Sequence, residues 1–119
     1  MTAGTTETKQ RIIQEYVPGK QVTLAHVIAR PQKGLHARLR LENETSEAIG
    51  ILTITPGEGV IIAADLATKA AAVEVGFLDY TRGSLLVQGD VASVEAALRD
   101  VVEYFKNTLQ YAAVDMTRS

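Results

Sequence analysis

The sequence predicts a single α+β domain with a ferredoxin-like core. The chain has 119 residues, of which 46% are hydrophobic and 22% charged, as is usual for one globular domain. From residue 48 onward, hydrophobic spacing and turn residues predict the order β-α-β-β-α-β, the split βαβ arrangement. Further elements precede this core.

The first part of the chain is predicted to contain a tail and two strands. Residues 1–10 are rich in threonine and lack hydrophobic periodicity, so we expect a flexible tail. Residues 11–17 (RIIQEYV) and 22–29 (VTLAHVIA) predict strands because they are rich in β-branched residues, and PGK at 18–20 predicts the turn between them. The first strand has no obvious pairing partner within a small domain, which favours pairing with another chain.

A short helix is expected after the second strand. Pro31 disfavours helical backbone at Arg30, so the helix is placed within residues 33–41. Leu35 and Leu39 are four residues apart and share one face, which predicts an amphipathic helix.

The first half of the core is predicted to be a strand, a helix and a hairpin. Strand 48–55 is apolar on both faces, as expected at a covered central position. The turn PGEG at 56–59 precedes an alanine-rich helix at 60–72. Strands 73–80 and 84–88 flank TRG, which predicts a hairpin.

The last helix has the clearest pattern in the chain. Asp90 is a good N-cap for a helix over 91–106, and residues 109–116 predict a final strand. The helix carries one apolar stripe at helical spacing, formed by Val94, Ala97, Leu98, Val101 and Phe105.

Composition argues against several classes of function. The net charge is −2 without a basic patch, so nucleic acid is not an expected partner. The chain has no cysteine, which excludes disulfides and thiolate chemistry and suits a cytosolic protein. No apolar run approaches the ~20 residues of a membrane span, and the first residues do not resemble a secretory signal, so no membrane partner is expected.

The two histidines are the first candidates for a chemical site. His26 lies on a predicted strand and His36 on the following helix, with Glu42 and Glu44 in the loop beyond. Because few metal-ligating or acid–base groups converge there, we interpret His26 as packed or hydrogen-bonded structure and His36 as a surface residue of the helix. A ligand or catalytic role of His26 with a nearby acid stays a weaker alternative.

Other motifs also favour structural interpretations. PGEG lacks the spacing and the Lys or Ser/Thr of a phosphate-binding loop, so a plain turn is favoured. Asp65 and Lys69 are an i, i+4 pair on the alanine-rich helix. No nucleophile–base set is recognisable. We therefore predict no catalytic residue, metal or cofactor. A small-molecule-binding regulatory domain that oligomerises remains the alternative function.

The segment AIG…AADLATKAAAVEVGF…GSLLVQGDVASVEAAL resembles the shell domain (BMC domain) of bacterial microcompartment hexamers. The positions that match this family pattern are Ala48, Gly50, Ala64, Asp65, Lys69, Ala70, Ala71, Gly76, Phe77, Gly89, Asp90, Val91 and Val94. The family's HVIPRPH strand normally lies near the C-terminus, whereas HVIARPQ stands here at 26–32. This order resembles the circularly permuted subgroup of propanediol- and ethanolamine-utilisation compartments.

The resemblance implies a structural protein of the bacterial cytoplasm. Homohexamers of the family are tiles that join one another and other shell proteins edge to edge around metabolic enzymes. Lys69 matches the edge lysine between tiles, and Arg30 matches the arginine that reaches across the same contact. Ala29 and Gln32 depart from the Pro and His of that motif. Glu47 stands where some relatives carry a glycine that permits bending, so we expect a flat or mildly bent hexamer.

The resemblance also gives residues 11–17 a role. In this subgroup the N-terminal strand is one stave of a six-stranded parallel β-barrel that caps the central pore and can dock another compartment protein. Residues 11–20 would then be barrel strand and turn, and 21–119 the permuted shell domain. One barrel face would carry Ile12, Gln14 and Tyr16, and the other Arg11, Ile13, Glu15 and Val17. The place of the usual pore loop is taken by a shorter turn, formed by Asp79, Tyr80, Thr81, Arg82 and Gly83.

Overall fold

The computed structural model describes residues 19–119, which form a mixed β-sheet with helices packed against it. The predicted α+β class is confirmed, and so are the positions of the two long helices and of four strands; the predicted strand 11–17 lies outside the described residues. In chain order the elements are β1 (Gln21–Ala29), α1 (Leu35–Arg38), β2 (Ala48–Thr55), α2 (Gly59–Ala70), β3 (Glu74–Asp79), β4 (Ser84–Gly89), α3 (Val91–Asn107), β5 (Ala112–Ala113) and β6 (Thr117–Arg118).

The strands are arranged in the order β3-β4-β2-β1-β5, and β6 also pairs with β1. Neighbours among β1 to β4 are antiparallel, whereas β5 and β6 run parallel to β1. The predicted central position of β2 is confirmed, because Ile49 and Leu52 are fully buried in two different clusters, one on each face of the sheet.

The place beside β2 is occupied by β1 instead of the last strand. β1 pairs with β2 along its whole length, from Gln21 opposite Thr55 to Ala29 opposite Ala48. The predicted continuous strand at 109–116 is therefore wrong. The C-terminal segment pairs only with the outer edge of β1, where it forms the two short strands β5 and β6. The strand β6 was not predicted.

The main core lies between the sheet and the two long helices. The predicted apolar stripe of α3 is confirmed, since all five of its residues are buried. Gly50 of β2 lets α3 approach closely, because a Cβ there would lie 2.7 Å from Leu98 Cδ1 and 2.8 Å from Val94 Cγ1. Phe105 packs edge to face on Tyr111 with ring centroids 4.8 Å apart, and its full burial contributes about 1.5–3 kcal/mol.

The region of α1 differs from the prediction for residues 33–41. The helix has only four residues, because the backbone turns to φ 59° at Arg40 and reverses the chain. Leu39 is consequently exposed, and Leu41 is buried in its place. Leu41 is the centre of a small second core on the other face of the sheet, together with Ile49 and Leu86.

The N-terminus of α3 is capped as predicted. Asp90 Oδ1 accepts a hydrogen bond from the Ser93 amide at 2.8 Å, and Oδ2 accepts one from the Ser93 hydroxyl at 3.1 Å. The carboxylate thereby satisfies one of the donors that a helix leaves unpaired in its first turn.

We expect Asp90→Ala to lower the free energy of unfolding by about 1 kcal/mol, because the capping acceptor is lost. Urea unfolding followed by circular dichroism at a fixed protein concentration measures the change. The exposed Asp100 of the same helix is the matched control, and Asp100→Ala should leave the midpoint nearly unchanged. Equal midpoints for the two variants would contradict the capping role.

Candidate assembly surfaces

The register of the sheet places the start of β1, the end of β2 and the turn between β3 and β4 at one end of the molecule, which we call the turn end. Gln21 at the start of β1 is paired with Thr55 at the end of β2, and Asp79 at the end of β3 is paired with Ser84. The turn end thus contains the β3–β4 turn and the entry into β1. The described chain begins at Gly19, two residues before β1, and therefore also at this end.

The β3–β4 turn is closed by one carboxylate. Asp79 Oδ1 accepts hydrogen bonds from the Thr81 hydroxyl at 2.6 Å, the Thr81 amide at 3.0 Å and the Arg82 amide at 3.2 Å. The hydrogen bond from the Thr81 hydroxyl is the largest of the causes that hold the pKa of Asp79 below its ordinary value, and the two amides act in the same direction. The turn is therefore held in one conformation by hydrogen bonds to the Asp79 carboxylate.

The same turn is anchored on β2. Gly83 has a φ of 73°, and a Cβ there would collide with the Ile54 carbonyl oxygen. The Gly83 amide donates to Asp79 O at 2.8 Å, and the Ile54 amide donates to Gly83 O at 2.8 Å. Tyr80 and Arg82 remain exposed at the tip. All five residues predicted for the pore turn thus lie together, and two of them present large side chains to solvent.

Lys69 lies toward the opposite end of the sheet, which we call the far end. α2 begins next to the turn end and rises about 15 Å over the ten residues to Lys69. The backbone after the helix reaches Gly89 at the far end of β4, since a Cβ at Gly89 would lie 3.0 Å from Ala72 O.

The Lys69 side chain is held by a neighbour without being buried. Lys69 Nζ is 2.8 Å from Asp65 Oδ2, while the side chain is 73% exposed. The hydrogen bond to Asp65 and its charge raise the pKa of Lys69. An exposed pair of this kind contributes little to stability, so the protonated amine is available to another molecule.

Arg30 also lies at the far end, directly after β1. Its φ is 49°, a left-handed conformation that is uncommon for a residue with a side chain. The Arg30 amide donates to Glu47 O at 2.8 Å, while the side chain is exposed. The structure therefore brings the two predicted edge cations to the same end of the sheet, away from the turn end.

A groove lies between α2 and α3 beside Lys69. Its volume is about 460 Å³, and the lysine, Leu66 and Ala70 line it from α2. From α3 it is lined by Asp100, Glu103 and Tyr104. The sequence patterns did not indicate this groove, because the carboxylates and the lysine come from two helices whose packing only the fold defines.

His26 is a structural residue, as predicted. Its Nδ1 is 2.6 Å from Thr117 Oγ1, and its Nε2 is 2.8 Å from Ser119 Oγ. Both ring nitrogens therefore hold the C-terminal segment against β1. The partners were not predictable because they are more than 90 residues away in the sequence.

The prediction that His36 is a surface residue is wrong. The residue is only 8% exposed, and its Nε2 is 2.9 Å from Ser46 Oγ. The early end of α1 turns this face of the helix toward the loop before β2, which buries the ring.

The described residues offer few groups for other chemistry. Within 19–119, no three His, Cys, Asp or Glu side chains are grouped so that they could hold a metal ion. In the same range no helix has the length and hydropathy needed to cross a membrane. In the turn before α2, the Gly59 amide donates to Pro56 O and the Val60 amide donates to Gly57 O, so both amides already have acceptors within the turn. This supports a plain turn at PGEG.

Residues 48–116 match the BMC domain family, which covers more than half of the chain. The chain belongs to this family. It is 54% identical over 112 residues to the bacterial microcompartment shell protein PduU of Salmonella typhimurium, covering 94% of this chain and 96% of that protein. The resemblance found in the sequence is confirmed.

Solved structures of a relative show the same fold. A CutR flat hexamer (form 1) aligns with a TM-score of 0.81 at 48% identity, covering 92% of this chain and all of that chain. A CutR screw form with 41.9 Å pitch aligns with a TM-score of 0.79 at 46% identity, covering 86% of this chain and all of that one.

The protection of the β3–β4 turn should depend on pH through Asp79. Because the pKa of Asp79 is lowered in the folded protein, its stabilising effect is complete above the ordinary pKa and is lost as the pH falls through the lowered value. We expect the Thr81 and Arg82 amides to lose protection from hydrogen exchange in strong acid. Asp79→Ala should lose it at neutral pH too, whereas Asp79→Asn, whose amide oxygen still accepts, should retain part of it at both pH values. Full protection in Asp79→Ala would refute this assignment.

Proposed function

We propose that the chain is a non-catalytic structural subunit of a bacterial microcompartment shell in the bacterial cytoplasm. Six copies would form a tile with the turn ends at its centre and the far ends at its rim, and tiles would join with one another and with other shell proteins. The observation that carries this proposal is the separation of the candidate surfaces. The pore turn and the entry into β1 lie at the turn end, whereas Lys69 and Arg30 lie at the far end.

Circular permutation is supported by the position of β1. The family match begins at residue 48, yet β1 precedes it and fills the sheet position next to β2. The C-terminal segment, which would supply that strand in the ordinary chain order, pairs only with the outer edge of β1. Residues 21–119 are therefore proposed to be the permuted shell domain.

The proposal of an axial barrel is supported by the place where the chain enters the domain. Residues 1–10 would be a flexible tail, and 11–20 the barrel strand and its turn. Since β1 begins at the turn end, a segment that precedes it is attached at the same end of the sheet as the β3–β4 turn. Six such strands would close a parallel barrel with no unpaired edge. This barrel would cap the pore and offer a docking point to another compartment protein.

The edge contact is proposed to use Lys69, Arg30 and the groove between the helices. Arg30 of one tile would enter the groove of the next, where Asp100 and Glu103 provide carboxylates beside Lys69. Guanidinium groups suit such sites because their five donors have a fixed planar geometry. The contact is reciprocal across a two-fold axis, so each pair of subunits makes it twice.

The described residues favour a structural role over catalysis. His26, the strongest candidate for acid–base chemistry, has hydroxyl partners at both ring nitrogens. The alternative regulatory domain would need a ligand site closed between subunits. The separation of the two ends explains the exposed cations without such a ligand.

A flat tile is favoured by the contacts of Glu47. Its backbone oxygen accepts from the Arg30 amide, and its Oε1 accepts from the Val91 amide at 2.9 Å. These bonds tie β1, β2 and α3 together at the point where some relatives carry a flexible glycine. The relative CutR occurs both as a flat hexamer and as a screw, and we propose a flat or mildly bent hexamer for this chain.

Removal of either edge cation should stop tile joining without breaking the tile. We expect Lys69→Ala and Arg30→Gly to form hexamers by light scattering but no extended sheets by electron microscopy. Glycine is chosen at position 30 because it tolerates the φ of 49° that Arg30 adopts. Lys106→Ala removes another exposed cation from the end of α3 and is the matched control, which should form sheets as the wild type does. Sheets formed by Lys69→Ala or Arg30→Gly would remove that residue from the proposed edge.

Deletion of residues 1–17 should uncover the centre of the tile. We expect the truncated chain to form a hexamer by light scattering, since the described domain has its own core, and to show an open centre by electron microscopy. A capped centre would rule out the barrel, and a truncated chain that stays monomeric would show that this segment holds the ring together.

A further inference from the structure

A polar cavity lies at the far end of the sheet, on the face that carries α1. Its volume is about 310 Å³, at the lower limit of pockets that hold small organic molecules. Arg40 and Glu42 line it from the segment after α1, and Glu74 and Gly76 line it from β3. Gln88 of β4 closes it from below.

The orientation of the Gln88 amide is fixed by its neighbours. Gln88 is 1% exposed, and its Nε2 donates to Asn43 O at 2.6 Å and to Ser46 Oγ at 2.9 Å. A backbone carbonyl oxygen can only accept, so the nitrogen must face it and the oxygen must point away. Among residues 19–119, no group donates to Gln88 Oε1. A buried polar atom without a partner is rare in native proteins and calls for an explanation.

The backbone of β3 packs closely beside this oxygen. The register of β3 shifts between Val75 and Phe77, which leaves Gly76 between the paired positions. A Cβ at Gly76 would lie 3.2 Å from Gln88 Oε1 and 2.6 Å from Leu86 Cδ2. The bulge and its glycine therefore place no side chain between β3 and the unpaired acceptor, and Gly76 itself lines the cavity.

The charges around the cavity are mainly negative. Glu42 and Glu74 contribute two carboxylates and Arg40 one guanidinium, and none of the three forms an ion pair with a residue that the structure describes. A group that satisfies Gln88 Oε1 must donate a hydrogen bond, and the carboxylates favour a positive charge on it. A metal ion is disfavoured, since no set of three acidic or histidine ligands occurs in the described part of the chain.

We propose that this cavity binds a small organic cation, a primary ammonium or guanidinium group, that donates an N–H to Gln88 Oε1 and is held by Glu42 and Glu74. The group belongs either to a free small molecule or to a Lys or Arg side chain of a second copy of this chain. Binding of a free small molecule does not depend on the shell function, whereas occupation by a side chain of a second copy rests on the proposed assembly.

The test is a titration of the assembled full-length protein with methylguanidinium chloride, followed by saturation-transfer NMR at constant ionic strength. We expect saturable binding of methylguanidinium and none of tetramethylammonium, which carries the same charge but has no N–H donor. The double variant Glu42→Gln/Glu74→Gln should weaken binding by about tenfold or more, since a hydrogen bond to a charged group contributes at least this factor. Glu44→Gln is the matched control, because Glu44 is exposed in the same loop and does not line the cavity.

The other results separate the two sources of the cation or reject the proposal. A Lys or Arg side chain of a second copy that already occupies the cavity would keep the wild type from binding a free cation. In that case we expect the hexamer of the double variant to dissociate on dilution more readily than the hexamer of Glu44→Gln. Equal dissociation together with no cation binding would overturn the proposal. Equal binding of methylguanidinium and tetramethylammonium would also overturn it, since Gln88 Oε1 would then have no part.

Discussion

The antiparallel pairing of β1 with β2 is the interaction on which the rest of the structure depends. It inserts a strand from the start of the chain into the sheet, next to the central strand, and leaves only an outer edge for the C-terminal segment. Because the pairing runs from Gln21 to Ala29 with one register shift between Val22 and Leu24, the same ladder fixes both ends of β1. The entry into the domain lies at the turn end, and Arg30 leaves the sheet at the far end.

The loop before β2 secures this arrangement with few polar groups. Glu47 accepts from the Arg30 amide through its backbone oxygen and from the Val91 amide through its carboxylate. Ser46 and Asn43 of the same loop accept from the buried Gln88. Because a buried polar group is costly unless it is paired, the bonds of Gln88 favour this position of the loop. The left-handed backbone at Arg30 is held in place by the same loop.

The two ends differ in how their charges are used. At the turn end, the Asp79 carboxylate accepts hydrogen bonds from Thr81 and Arg82 of its own turn, so its negative charge stabilises this chain. At the far end, Lys69 has one exposed carboxylate partner, and Arg30 has no ion pair with a described residue. Exposed ion pairs are individually weak, but a contact that symmetry repeats around a ring adds up over the assembly. The far end is therefore suited to contacts between copies.

Local sequence signals predicted what depends on neighbouring residues. Four features follow from side chains that are close together in the sequence. They are the N-cap at Asp90, the apolar stripe of α3, the strand β2 with two apolar faces and the hairpin that contains Gly83. The proposed edge cations and the proposed pore turn were identified by resemblance to a family, and their placement at two different ends became apparent only from the strand register. His36 and the last strand were wrongly predicted, because burial of the ring and the edge left to the C-terminus depend on segments distant in sequence.

The sequence by itself determined the two long helices, four of the strands, the family and the residues to test, because helix periodicity, capping and turn chemistry are local. The tertiary structure alone decided that β1 fills the place beside β2, that Lys69 and Arg30 share the far end, and that Gln88 lines a cavity while its Oε1 has no donor among the described residues. These features arise from strand register and from side chains that meet across the sheet, and the energy of such contacts is defined only when distant parts of the chain are packed together.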